Sequence, residues 1–338
     1  PEGWKTVGSL HPGSLVAATR RLPVLRLGPS VLSPERMRLL GYLIGDGSYQ
    51  RHCEVTFISG DPLTLEDCVS VAEREFSVGA RRAQVNGTPV VSLVTVYPNR
   101  DGSGRTHSRR NGNALRCWLR EIGVEGQSSY DKRIPERVFT DADAEGLRAL
   151  LRALFSTDGC LTRHRYRNGT FLWSLHYDTV SLGLAEDVRD LLLRFGIVAQ
   201  ISSGYMGKKA TVPLYRVCVE DATHLAAFCR LIGIEGRKSA LVEQCLSELP
   251  QRRVKPQIDR LPYAVTEELW NTKKAVRMSW RELGFRLQTG KTLDRPTAAA
   301  LAERLGETRV VEMATNDILW DRVKRITPAG REMVYDLV

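Results

Sequence analysis

Two stretches of this chain end an apolar helical pattern on an Asp-Gly pair, "LLGYLIGDGSY" at 39–49 and "LLRALFSTDGC" at 150–160. The peptide dipoles already concentrate partial negative charge at a helix C-terminus, so Asp46 and Asp158 stand in unfavourable places. Ordinary turn chemistry would explain one such pair, and a third, Asp101-Gly102, stands in a polar loop with no apolar helix before it. Two carboxylates brought together at two helix ends repel each other unless protons or cations lie between them. Hard divalent cations suit that position best. Mg²⁺ takes oxygen ligands, keeps several waters, and needs only one or two carboxylates when a phosphate supplies the rest. Metals held so could clamp the attacking water and the leaving oxygen of an in-line displacement at phosphorus.

Self-comparison puts both Asp residues in the same surroundings. After Asp46, residues 54–59 ("EVTFIS") alternate as a strand, and Asp61 with Pro62 opens a helix whose apolar positions are Leu65, Val69, Ala72 and Phe76. After Asp158, residues 171–178 ("FLWSLHYD") give the strand, and Ser181 opens a helix with Leu184, Val188, Leu191 and Phe195 at the same spacing. Further on, "LRCWLREIGVEG" (115–126) aligns without a gap to "LAAFCRLIGIEG" (225–236), an offset of 110 residues against 112 between the two Asp. Each copy reads as helix, strand, strand, helix, strand, strand, helix, an α+β unit with helices on one face of an antiparallel sheet. The two units are expected to pair about a pseudo-two-fold axis along the Asp-terminated helices. There Gly41 and Gly45 match Ala153 and Thr157, and small residues allow the backbones to approach closely.

With 338 residues, 42% of them hydrophobic, the chain can bury a large core, and a net charge of +10 favours an anionic partner. Six arginines against a single acid, Asp101, lie between residues 100 and 120, and Arg109 and Arg110 among them suit phosphate contacts. In "CLTRHRYRNG" (160–169), Arg163, Arg165 and Arg167 alternate, so a strand would project all three from one face as a groove-reading surface. Thr162, His164 and Tyr166 would take the other face, and Asn168-Gly169 would turn a hairpin. Lys208 and Lys209, in a predicted turn, suit another phosphate contact. The seven cysteines are odd in number and form no CxxC pair, which indicates neither a disulfide framework nor a zinc site. No apolar run approaches the roughly 20 residues of a membrane span and no signal peptide opens the chain, so an intracellular, cytoplasmic and nucleoid-associated protein is expected. Residues 280–290 and 294–306 read as two helices about a Gly-Lys turn, either a helix-turn-helix that extends the contact with DNA or a packing spacer.

The two Asp-Gly motifs, "LLGYLIGDG" and "LRALFSTDG", with their matched downstream helices, resemble the single-chain LAGLIDADG homing endonucleases; the repeat is similar to that family's αββαββα half-domain over roughly 34–243. The resemblance implies a monomeric, site-specific endonuclease that cuts double-stranded DNA at a long asymmetric target. It implies Mg²⁺ or Mn²⁺ held by Asp46 and Asp158, with the backbone carbonyls of Gly45 and Thr157 as further ligands, and Ca²⁺ supporting binding without cleavage. It also implies one catalytic lysine per half. Lys132 and Lys238 follow their Asp by 86 and 80 residues, and Ser128, not Lys132, aligns with Lys238. The rival implied by the same fold is a DNA-binding protein that does not cut, although such relatives tend to lose one or both carboxylates. The flanks, residues 9–24 and 318–338, resemble strand pieces of an intein (Hint-type) splicing domain, most like those of replicative-helicase inteins. The expected division is therefore a splicing-domain remnant at 1–30, half-domains at 31–140 and 141–243, a helical segment at 244–315 and a second remnant at 316–338. The chain opens on Pro1 without a Cys or Ser nucleophile and ends on Val338 without His-Asn, so self-splicing is expected to be absent.

Overall fold

The structure, a computed structural model, describes residues 3–24, 32–51, 53–98, 104–107 (backbone), 113–167, 169, 171–205, 211–249, 259–287, 291–328 and 330. The chain divides into two compact units, residues 21–254 on the one hand and residues 1–20 with 255–338 on the other. Strand β1 (Leu15–Thr19) belongs to the smaller unit, and its partner lies far along the chain.

The larger unit runs α1 (Pro34–Asp46), β2 (Gly47–Ser48), β3 (Val55–Ile58), α2 (Pro62–Phe76), β4 (Val78–Val85), β5 (Thr88–Pro98), β6 (Gly104–His107), α3 (Ala114–Glu121) and α4 (Glu136–Asp141). It continues with α5 (Ala144–Thr157), β7 (Gly159–Arg165), β8 (Phe171–Thr179), α6 (Leu182–Arg194), β9 (Gln200–Tyr205), β10 (Pro213–Val219), α7 (Ala222–Leu231) and α8 (Ser239–Glu248). The mixed α+β repeat is thus observed, with α4 and α8 added to it. Strand order is β2-β3-β5-β4 with β6 beside β5 in one sheet, and β7-β8-β10-β9 in the other, every pair antiparallel.

Local chemistry starts the principal helices where the sequence places them. Ser33 accepts from Arg36 N ahead of Pro34, Asp61 from Leu63 N ahead of Pro62, Asp143 from Gly146 N, and Ser181 from Leu184 N. The unit's core gathers around α1 and α5, where Leu39, Leu40, Tyr42, Leu43 and Ile44 of α1 and Leu147, Leu150, Leu151, Leu154 and Phe155 of α5 are wholly inaccessible to solvent. The small residues sit in the seam as expected. A Cβ on Gly41 would collide with the Leu150 carbonyl and Ala153, and one on Gly45 with the Thr157 side chain.

In the smaller unit, α9 (Tyr263–Ala275), α10 (Arg295–Leu305) and α11 (Thr308–Thr315) share a second core of Leu261, Val265, Leu269, Trp270, Leu301 and Val310. Strand β11 (Ile318–Arg322) pairs with β1 antiparallel, Leu15 opposite Arg322 and Thr19 opposite Ile318. The buried Arg295 ties the unit together by donating to Asp259 at 2.6 Å and to the carbonyl of Met313 at 2.8 Å. The helix expected over 280–290 is not formed: within the described residues this stretch is turn and coil, and the helix stands upstream as α9. Trp280 packs edge-on against Trp270 at 4.8 Å and Phe285 takes Arg304 over its ring, so these apolar residues serve the core from a loop.

Candidate active site

Asp46 is the last residue of α1 and Asp158 caps α5, so both carboxylates lie at the same end of the central helix pair. Each is followed by a glycine that begins a strand, and the reason is steric. Gly47 has an extended backbone (φ −93°, ψ 158°), not the left-handed conformation of an ordinary glycine cap, and a Cβ there would strike the Leu43 carbonyl. A Cβ on Gly159 would strike the Phe155 carbonyl in the same way. The chain therefore leaves each helix directly into its sheet, and the Asp is held at the junction.

The electrostatics are those of a crowded pair. Burial, and then the charge of Asp46, push the Asp158 carboxyl up to about 6 against the pull of Lys132 and Lys238. Burial also raises Asp46, opposed by the same two lysines. The lysines are lowered by burial and drawn back up by both carboxylates, with Cys160 acting on Lys238 as well.

Their placement brings together what the sequence comparison leaves unaligned. Lys132 Nζ donates to the carbonyls of Gly45 at 2.7 Å and Gly47 at 3.1 Å. Lys238 Nζ donates to those of Thr157 and Gly159, both at 2.8 Å, and of Ser156 at 3.1 Å. Gly45 and Gly47 match Thr157 and Gly159 in the repeat, so the lysines reach equivalent acceptors along chain paths of different length. The carbonyls expected to face a metal thus each hold an ammonium group, and their second lone pair remains. Two further groups had no signal in the sequence: the buried hydroxyls of Tyr49 and Tyr177. Tyr177 is fully enclosed and lies close enough to feel both Asp residues and Tyr49, yet among the described residues neither hydroxyl makes a hydrogen bond of good geometry. Among the described residues no cluster of three or more His, Cys, Asp or Glu forms a metal cage. A pair of carboxylates, both raised by burial and Asp158 further by the charge of Asp46, is a donor set that fits a hard cation keeping most of its waters.

The arginines are distributed otherwise than expected. Leu161 opposes Leu175, and Arg163 opposes Trp173, so Arg163 and Arg165 share the helix-covered face of their sheet. Arg163 pairs with Glu248 of α8 at 2.7 Å and lies 4.1 Å from the Phe171 ring centre. Arg167 falls beyond the end of β7. The uncovered face carries Thr162, His164, Ser174, His176, Asp178 and Arg216 instead. Arg116 and Arg120, counted among the six arginines between 100 and 120, are both engaged with Glu125. Arg109, Arg110, Asn168, Lys208 and Lys209 lie outside the described residues.

The two uncovered sheet faces differ at matched places. Phe57 opposes Val91 in the first sheet as Tyr177 opposes Val217 in the second, so the next pairs, Ile58 with Val90 and Asp178 with Arg216, correspond. The first pair is apolar, and the second is a bidentate ion pair at 2.7 and 2.6 Å.

A helix-terminal Asp-Gly at 158–159, a four-stranded antiparallel sheet and helices on its covered face are the features of one repeat, and residues 145–233 match the family described as LAGLIDADG-like domain. That stretch is similar to a LAGLIDADG-like domain. Over its whole length the chain is 31% identical to part of the replicative DNA helicase DnaB of Rhodothermus marinus, covering 100% of this chain and 36% of the helicase. It is 28% identical to that of Synechocystis sp., covering 99% and 38%. The chain thus spans little more than a third of the curated relatives it matches. Among solved structures, mesophilic variants of the homing endonuclease I-DmoI match with a TM-score of 0.40 at 12% identity, covering 63% of this chain and 98% of theirs. I-DmoI has also been solved in complex with DNA and Mn, and with DNA and Ca. No described helix is long and apolar enough to cross a membrane.

Proposed function

We propose that this chain is a monomeric, site-specific endonuclease that hydrolyses both strands of DNA with a divalent metal, Mg²⁺ or Mn²⁺, and that it stands as an intein within a replicative helicase. The observation that carries the proposal is the pairing of Asp46 and Asp158 at one end of α1 and α5, both raised by burial and Asp158 also by the charge of Asp46, with one lysine per half beside them. A structural role alone would not favour two buried like charges at two helix C-termini. Asp46 and Asp158 would hold the metal, which when bound supplies a hydroxide-like water and neutralises the leaving oxygen. Lys132 and Lys238 add positive charge beside the carboxylates, where it can stabilise charge developing on a phosphate. The two uncovered faces hold the duplex, and their unlike matched pairs, Ile58–Val90 and Asp178–Arg216, support an asymmetric target. The full-length similarity to helicase sequences, with the chain covering about a third of each, supports the intein placement.

The test is a supercoiled plasmid carrying an uninterrupted helicase insertion site, incubated with wild type, Asp46→Asn and Asp158→Asn in Mg²⁺ or Ca²⁺. Linearisation by wild type in Mg²⁺ alone, with binding but no linear product from either variant, is the expected result. Tight binding without cutting in either metal would instead assign the chain to DNA-binding relatives.

A further inference from the structure

The two lysine-bearing loops are each tied to the opposite half of the repeat as well as to their own. Lys132 follows α3 of the first half, but Ser181, the N-cap of α6 in the second half, donates its hydroxyl to the Lys132 carbonyl at 2.8 Å. One turn into α6, the buried carboxylate of Asp187 takes Arg133 in a fork at 2.8 and 2.7 Å and accepts from Ile134 N at 2.8 Å. Gly183 is the residue that lets this happen, since a Cβ there would collide with the Arg133 side chain. Lys238 follows α7 of the second half, and its loop, which Ser156 of its own half holds at Glu235 N, is also held by the first. Asp61, the N-cap of α2, accepts from Arg237 N at 2.6 Å with one oxygen while the other caps its own helix at Leu63 N, 3.0 Å. Beside it the Tyr42 hydroxyl of α1 lies 3.1 Å from the Glu235 carboxylate. Gly236 makes room for Asp61 with φ +71°.

The arrangement is reciprocal: the α2 and α6 N-caps each serve their own helix and the lysine loop of the other half. We infer that Asp187 and Asp61 are positioning residues that set Lys132 and Lys238 respectively, so that each lysine is placed across the seam and neither half can arm itself alone. The physical basis is rigidity. A lysine with four rotatable bonds keeps its ammonium on two or three carbonyls only if its backbone is fixed, and charge-assisted and forked bonds to carboxylates fix it best. For catalysis the inference rests on the endonuclease reading, whereas the placement of the lysines does not.

The first test therefore uses the free protein without metal or DNA. Lysines are acylated with a limiting amine-reactive ester, and the rate at each site is read by mass spectrometry for wild type, Asp187→Asn, Arg133→Ala and Asp61→Asn. The expected result is a roughly tenfold faster reaction at Lys132 in the first two variants with Lys238 unchanged, and the converse in the third, tenfold being the factor for one lost charge-assisted hydrogen bond. Arg133 is half exposed, so its variant keeps the test valid should Asp187→Asn fold poorly. Unchanged labelling in both first-half variants, or a parallel rise at both lysines in every variant, overturns the inference. The second test follows nicking of each strand of the plasmid. Asp187→Asn should slow the same strand as Lys132→Ala, and Asp61→Asn the same strand as Lys238→Ala, with Ca²⁺-supported DNA affinity kept. Equal slowing of both strands by each variant also overturns it. Reciprocal labelling with no cleavage by wild type would leave the lysine clasp standing and remove the endonuclease reading.

Discussion

At the scale of single residues, Asp158 shows most plainly that the site works against the fold. Its carboxyl stands near 3.8 in the absence of structure and is pushed up to about 6 here, so the native protein binds that proton more tightly than the unfolded chain. The resulting stability is present below pH 3.8 and is lost as pH rises through 6, a loss of up to about 3 kcal/mol by pH 7. Asp158→Asn should accordingly stabilise the metal-free protein at pH 7.5, by an amount that shrinks toward pH 4. Thermal denaturation in EDTA at several pH values checks this, and a variant no more stable than wild type at pH 7.5 would contradict it. Adding Mg²⁺ should raise the melting temperature of wild type more than that of the variant, because only wild type offers two charges to neutralise.

At the scale of elements, the α1–α5 contact depends on residues without side chains to spare. Gly41→Val should destabilise by about 1–3 kcal/mol, the range for overpacking a core, because the new branch meets the Leu150 carbonyl, which cannot turn away. Urea unfolding measures it, and a change below a few tenths of a kcal/mol would mean that the helices separate more easily than they pack here. The sheets make a second prediction. Arg163 is tied to Glu248 on the covered face and Arg216 to Asp178 on the open one. Arg163→Ala should thus leave target preference unchanged, whereas Arg216→Ala should relax it at one base pair at a cost of about 1–3 kcal/mol. Binding to a library of single-base variants of the target separates the two outcomes. Period-two alternation was legible here, but not which face the helices cover, because Arg163 and Thr162 differ only in parity until Trp173 and Leu175 are seen buried beside Arg163.

At the scale of the whole molecule, residues 21–254 contain the repeat, its core and the paired carboxylates, and they should fold cooperatively when expressed alone. Circular dichroism with a single thermal transition is the expected outcome, and a noncooperative melt would show that the smaller unit is needed. That unit draws on both chain ends through the pairing of β1 with β11.

What the amino-acid sequence determined by itself was whatever is encoded in local order and repetition. The two Asp-Gly helix ends, the N-caps at Asp61 and Ser181, the small residues of the seam and the helix-strand-strand succession all follow from spacing along one element or from comparison of one copy with the other. Only the tertiary structure decided what depends on where unlike paths converge. Lys132 and Lys238 occupy unaligned positions yet meet equivalent carbonyls, Trp280 and Phe285 join a core from a loop, and Tyr177 of β8 comes close enough to Asp158 to feel its charge. A periodic pattern records the face a residue presents, whereas the partner it meets is set by the packing of every other element.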